Sequence, residues 1–210
     1  MELLKLNSDL SNLEEIALKT AEYLKKDLVG AIPTETFYGL AGNPFSEAVL
    51  KKIFSLKKRK PEKPILLLIG NLEQLNLVVE EVPDIAKKII QKFWPGPITL
   101  VFKAKKELSY FLTAGTNTIG VRWSSSYIVQ KICEKFGLPI TGTSANISDM
   151  KPCRTPEEVL SQIHELDFIV DGGVLNSRLP STVISVTTEE PELIREGVIP
   201  FEKVLEAITE

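Results

Sequence analysis

Five apolar residues in a row, Ile65-Leu66-Leu67-Leu68-Ile69, follow directly on the segment Leu56-Lys57-Lys58-Arg59-Lys60-Pro61-Glu62-Lys63-Pro64, in which five of seven consecutive positions from Lys57 to Lys63 are cationic. The run is bounded by Pro64 and Gly70 and is too short for a buried helix. It reads as a strand covered on both faces. A strand of that kind needs paired neighbours at its sides and packed layers above and below, so the chain must fold around a sheet. The cations sit at the mouth of that sheet, pinned between a short amphipathic stretch and a buried element. Fixed there, they suit a polyanion, a nucleotide phosphate chain first among them. They equally suit a solvated helix end whose lysines the helix dipole favours.

The rest of the chain alternates between helical and strand periods. Leu13, Ile16, Ala17, Thr20, Ala21 and Leu24 recur at helical spacing, with Glu14 and Glu15 in the first turn and Ser11 or Asn12 as cap. Residues 28–33 read as a strand, and Ala48, Val49 or Leu50, Ile53 and Phe54 as a helix. Pro83 opens a helix that closes before Trp94-Pro95-Gly96-Pro97, a rigid turn with no catalytic role that delivers a strand at 98–102. Further strands are expected at 118–122, 139–141, 168–170, 182–186 and 193–195, and further helices at 126–136, 156–164 and 200–208. This alternation predicts one α/β or α+β domain over residues 1–210, with helices covering a mixed sheet.

Composition narrows the function classes. With 43% hydrophobic and 25% charged residues, the chain has the make-up of a folded globular protein rather than a disordered one. No apolar run approaches the roughly 20 residues that cross a bilayer, and Met1-Glu2-Leu3-Leu4-Lys5 does not read as a signal peptide, so no membrane partner is expected. Cys133 and Cys153 lack a partner pattern and are expected to be reduced, in keeping with a cytoplasmic protein. A net charge of −3 argues against a broad, sequence-independent grip on nucleic acid.

Neither G-x-x-x-x-G-K-[ST] nor G-x-G-x-x-G occurs. The single histidine, His164, reads as structural, and without a second one neither a zinc site nor a catalytic triad has support. What remains is a set of polar loops at strand ends. Pro33-Thr34-Glu35-Thr36-Phe37-Tyr38-Gly39-Leu40 and Thr141-Gly142-Thr143-Ser144-Ala145-Asn146 are small and hydroxyl-rich, so backbone amides and hydroxyls can approach an anion closely. Arg122 and Arg195 each close a strand-like run, where a guanidinium can clamp a carboxylate or phosphate. Each loop taken singly is also ordinary turn chemistry. Together with the basic cluster they point to a nucleotide-plus-small-acid site outside the strand ends.

These segments, with Lys57-Lys58-Arg59, Lys63-Pro64, residues 93–100, Val121-Arg122, Ser181-Thr182-Val183 and Ile194-Arg195-Glu196-Gly197, resemble the YrdC-like threonylcarbamoyl-AMP synthase family over nearly the whole length. The resemblance implies a single α/β domain with a twisted mixed sheet flanked by helices and a large, positively charged concave cavity. It implies an enzyme that uses ATP, L-threonine and bicarbonate to form threonylcarbamoyl-adenylate and pyrophosphate. Transferase proteins then pass the threonylcarbamoyl group to tRNA. By resemblance, Lys57 and Arg59 are the catalytic pair and hold the ATP phosphates, with Lys63, Thr143, Ser144, Asn146, Ser181 and Arg195 completing the nucleotide site. Thr34, Thr36, Tyr38, Arg122, Ser181 and Thr182 would take threonine and bicarbonate. No protein cage for a metal is visible, so Mg²⁺ is expected to arrive on ATP. Lys57 and Arg59 are both expected to be exposed.

Two departures stand out. Leu68 occupies a position where some members carry a histidine, which implies a differently built threonine pocket or a paralogous branch. The resemblance stops at 210, before the extra C-terminal domain of longer members, so the short, single-domain form of the family is expected, as in short bacterial members where the core suffices. Two alternatives stay open: a YciO-type sister enzyme that hydrolyses acyl-adenylates, and a non-enzymatic RNA-binding module.

Overall fold

The computed structural model describes residues 1–209. In chain order it contains β1 (Glu2–Lys5), α1 (Leu13–Lys25), β2 (Gly30–Ile32), β3 (Gly39–Ala41), α2 (Glu47–Lys57) and β4 (Leu67–Ile69). A 3₁₀ turn at Leu72–Leu77 leads to α3 (Asp84–Phe93), β5 (Ile98–Lys103), α4 (Tyr110–Thr113), β6 (Thr118–Trp123) and α5 (Tyr127–Phe136). The chain continues through β7 (Ile140–Thr141), β8 (Thr143–Ser144), α6 (Pro156–Gln162), β9 (Phe168–Asp171), β10 (Thr182–Ser185), β11 (Glu192–Arg195) and α7 (Phe201–Thr209).

The α/β class with mixed strand directions is as expected, but the strands divide between two sheets rather than one. The first has the order β1-β9-β2-β3-β8 and the second β11-β10-β5-β6-β4-β7. Each mixes parallel and antiparallel pairs, for example β2 parallel to β9 and antiparallel to β3. The two meet at Gly142, where one extended segment leaves the second sheet as β7 and enters the first as β8. The amide of Gly142 donates to the Leu66 carbonyl at 2.9 Å. A Cβ there would lie 2.4 Å from Leu68 Cγ, so only glycine lets the strand cross so close to β4.

Period-2 alternation explains the layers. Ala31, Leu40, Leu67 and Ile69 face one core, which also takes Ile98, Leu100, Val121 and the inner sides of α2 and α3. Ile32, Ala41 and Leu68, one residue out of step, face a second core closed by Ile16, Ala17 and Leu24 of α1 and by Ile128, Val129 and Ile132 of α5. Residues 67–69 are apolar without interruption because β4 is covered on both faces. Leu68 belongs to this second core, beneath Gly142, and is fully buried.

The helices largely follow their sequence signals. Asn12 precedes α1 but does not cap it; its side chain accepts from the Asn7 amide and donates to the Lys5 carbonyl, tying the helix start to β1. The turn at 94–97 is held by the Trp94 indole, which donates to the Ile98 carbonyl at 2.8 Å, and by the Gly96 amide on the Trp123 carbonyl. His164 is exposed beyond α6 and takes no part in either core. Cys133 and Cys153 are both free thiols and buried. Among the described residues, no helix is long and apolar enough to cross a membrane.

A candidate active site at the sheet junction

The basic cluster is the C-terminal end of α2. Lys58 adopts a left-handed conformation as its cap, and the amides of Lys58 and Arg59 close the last turn on Ser55 and Phe54. The reversal sends the two flanking cations in different directions. Lys57 turns inward and is only 1% exposed. Its ammonium donates to the carbonyls of Ser144 and Asn146, the second at 2.8 Å. The expectation that Lys57 is exposed is therefore corrected: its stem packs under α2 and its head ties the β8 loop to that helix. Burial and the neighbouring Arg59 push the ammonium down to about 7.

Arg59 turns outward, half-buried. Its guanidinium donates to the carbonyls of Lys63 (3.1 Å) and Pro64 (2.7 Å), which stiffens the turn leading into β4. Lys63 makes an exposed ion pair with Asp149 at 2.7 Å. Asn146 is buried, and its amide group donates to the carbonyls of Ile147 and Met150.

A cavity of about 200 Å³ opens where the two sheets meet. Its wall brings together Thr34, Thr36, Tyr38, Arg59, Arg122, Thr143, Ser144, Ser181 and Arg195 from segments far apart in sequence. Four of the residues expected at the site lie off this wall: Lys57, Lys63, Asn146 and Thr182. Thr182 is fully buried, its hydroxyl donating to the Ile199 carbonyl and accepting from the amides of Gly197 and Ile199. It fastens the turn after β11 rather than meeting a ligand.

Arg122 projects from β6 and is 3% exposed. It donates to the Thr36 hydroxyl at 3.0 Å, and Glu35 lies 3.6 Å behind it. Thr36 is itself held through its backbone N–H, which donates to the Thr34 hydroxyl, and that hydroxyl in turn donates to the Phe37 carbonyl. Also on the wall, Arg195 leaves the exposed edge strand β11 and donates to the carbonyl and hydroxyl of Ser181 at 2.9 and 3.3 Å. Ser181 is fixed from below by Thr99, whose hydroxyl lies 2.9 Å away. Burial and the facing Arg122 hold the Arg195 guanidinium below its ordinary value.

Tyr38 contributes to the wall, but its hydroxyl is engaged elsewhere. It accepts from the Gly172 amide and donates to the Gly173 carbonyl, and burial pushes its proton affinity up. Phe37, Pro64, Leu66, Pro152 and Pro180 supply an apolar lining that no sequence motif singles out. Phe37, Pro64 and Pro180 stand beside Thr36, Lys63 and Ser181, which is a signal of a kind, but prolines in loops read first as turns, and Leu66 and Pro152 have no such neighbour. Glu35 is the one acid in its hydroxyl-rich loop, and that is the signal for it in the sequence.

The arrangement is that of an anion site. Three guanidiniums and several hydroxyls converge, and no carboxylate lies on the wall. The donor set does not suit a resident metal, since the wall carries cations and neutral hydroxyls. Among the described residues no group of three or more His, Cys, Asp or Glu could hold one.

Comparison with known proteins gives the chain's family. The chain is 34% identical over 200 residues to the threonylcarbamoyl-AMP synthase of Pyrococcus abyssi, matching 94% of this chain and 59% of that protein. It thus spans about three fifths of the length of that relative. It is 38% identical over 165 residues to the threonylcarbamoyl-AMP synthase of Buchnera aphidicola, covering 78% of this chain and 94% of the relative. Its fold superposes on the crystal structure of P. abyssi Sua5 complexed with L-threonine with a TM-score of 0.94. That match has 31% identity and covers 99% of this chain and 61% of the other. The family model for Sua5, YciO and YrdC proteins, described as "Telomere recombination", matches residues 22–197, and the chain belongs to that family.

Proposed function

We propose that the chain is a cytoplasmic threonylcarbamoyl-AMP synthase, acting as one domain on MgATP, L-threonine and bicarbonate. The observation that carries the reading is the cavity wall itself: Arg59, Arg195 and a buried Arg122 braced by Thr36 line one cavity with several hydroxyls and no carboxylate among them. The resemblance to relatives of that name adds support.

Threonine's amine and bicarbonate first condense to a carbamate with loss of water. A carbamate oxygen then attacks the α-phosphorus of ATP, and the bond to the β-phosphate oxygen breaks to release pyrophosphate. Each partner already carries its own nucleophile or leaving group, so the protein's task is to hold anions together in a confined site and offset charge on the phosphate oxygens. Arg122 takes the threonine carboxylate, with Thr34 and Thr36 orienting it. Arg59 and Arg195 take phosphates, with Thr143, Ser144 and Ser181 as hydroxyl partners. Lys57 and Asn146 act from behind, setting the position of the 144–146 loop. Mg²⁺ enters as part of the nucleotide substrate. The product would pass to transferase proteins that modify tRNA.

The test is pyrophosphate release by the purified protein with MgATP and bicarbonate. Release that depends on L-threonine is the expected result. Threonine-independent ATP turnover, or consumption of synthetic threonylcarbamoyl-adenylate without its formation, would reject it.

A further inference from the structure

The arginine assigned above to threonine differs in one respect from the two assigned to phosphate. Arg59 and Arg195 bond only to carbonyls and to the Ser181 hydroxyl, and among the described residues neither forms an ion pair with a carboxylate. Arg122 has one, Glu35, 3.6 Å from Nη1. Glu35 is not on the cavity wall; it lines a separate depression with Pro33, Ser126 and Tyr127. Its Oε2 accepts from the Ser124 hydroxyl, and Ser124 is fully buried at the end of β6. Its Oε1 is buried and without a hydrogen-bond partner, as is Nε of Arg122. An acceptor left unbonded in that position acts on its neighbour through charge alone.

Resting on the function proposed above, we infer that Glu35 sets the charge selectivity of the cavity, keeping phosphate off Arg122. In a poorly solvated site a carboxylate this close cancels much of the arginine's field at longer range, while the guanidinium N–H groups still reach the cavity for short hydrogen bonds. A singly charged carboxylate gains nearly all it can from those bonds. A phosphate, which depends more on the net field, gains less. Arg195 has no carboxylate against it, and Arg59 feels only the more distant Asp149, which is itself paired with Lys63, so the phosphate residues keep their preference for the polyanion. Glu35 is a positioning residue, acting through Arg122 and touching no ligand itself.

The experiment is calorimetric and needs no turnover. Inorganic phosphate is titrated into the wild-type protein and into Glu35→Gln, with and without saturating L-threonine. In the wild type, threonine should leave phosphate binding unchanged, since phosphate goes to Arg59 and Arg195. In Glu35→Gln a second phosphate should bind and be displaced by threonine, with affinity at Arg122 raised about tenfold, as removal of one close countercharge implies. Glu35→Asp retains the charge but withdraws it by one methylene, and should fall between the two. Phosphate binding that is unchanged in whichever variant folds would overturn the inference. So would a Glu35→Asp protein indistinguishable from Glu35→Gln, since shape rather than charge would then govern. A wild-type protein that binds no threonine at all would remove the proposed function, and this inference with it.

Discussion

Lys57 and Arg59 are two residues apart and chemically alike, yet they do different work because the left-handed residue between them reverses the chain. Lys57→Ala leaves a cavity and strips the Ser144 and Asn146 carbonyls of a shared donor. A loss of about 3 kcal/mol in unfolding free energy is expected. Arg59→Ala, at the half-buried rim, should cost far less stability and weaken MgATP use instead. Chemical denaturation beside initial-rate kinetics separates the two, and equal loss of stability in both would contradict the assignment. The buried ammonium also carries a pH signature. Its folded value near 7 lies below the ordinary 10.5, so between them the unfolded chain binds more protons than the folded one. Stability of the wild type relative to Lys57→Met should therefore rise with pH across that window, with the full penalty present below it. A pH-independent difference would show that the lysine is not desolvated as described.

At the level of elements, the rim of the cavity depends on how β11 is fastened. All four of its residues are exposed, and it pairs on one side only, with β10, across a register shift between Val183 and Ile184. The anchor is Thr182, whose single hydroxyl serves Gly197 and Ile199. Thr182→Val keeps the shape and loses all three bonds, for an expected cost of about 2 kcal/mol. Because Arg195 rides on that strand, the variant should raise KM for ATP more than KM for threonine; an equal rise in both would place Thr182 at the ligand after all. The same scale shows which elements are legible in sequence. The helices α1, α3 and α5 declare themselves through ten or more residues of 3.6-residue period. Strands β1, β3 and β8 escape notice because they run only two to four residues and take their partners from far away, as Glu2 does from Phe168.

Across the whole molecule, the site exists because two sheets share one crossing strand, and that junction is not written in any local pattern. The hydroxyl loops and arginines that reach the cavity are legible, since their side chains have no better use at a strand end. The inward course of Lys57 is not, because the carbonyls it serves lie 87 and 89 residues further along the chain. Nor is the division into two sheets, which turns on the space above Leu68 that only Gly142 leaves open. That placement also bears on Leu68 itself: it packs in the core between β4, α1 and α5 and is absent from the cavity wall, so the proposed threonine site draws nothing from it. The most direct measurement of this account is mass spectrometry of the products formed from ATP, L-threonine and ¹³C-bicarbonate. The account predicts a threonylcarbamoyl-adenylate carrying the ¹³C label, formed in step with pyrophosphate and lost in Arg122→Ala. An adenylate without the label, or pyrophosphate released with no such adenylate, would contradict it.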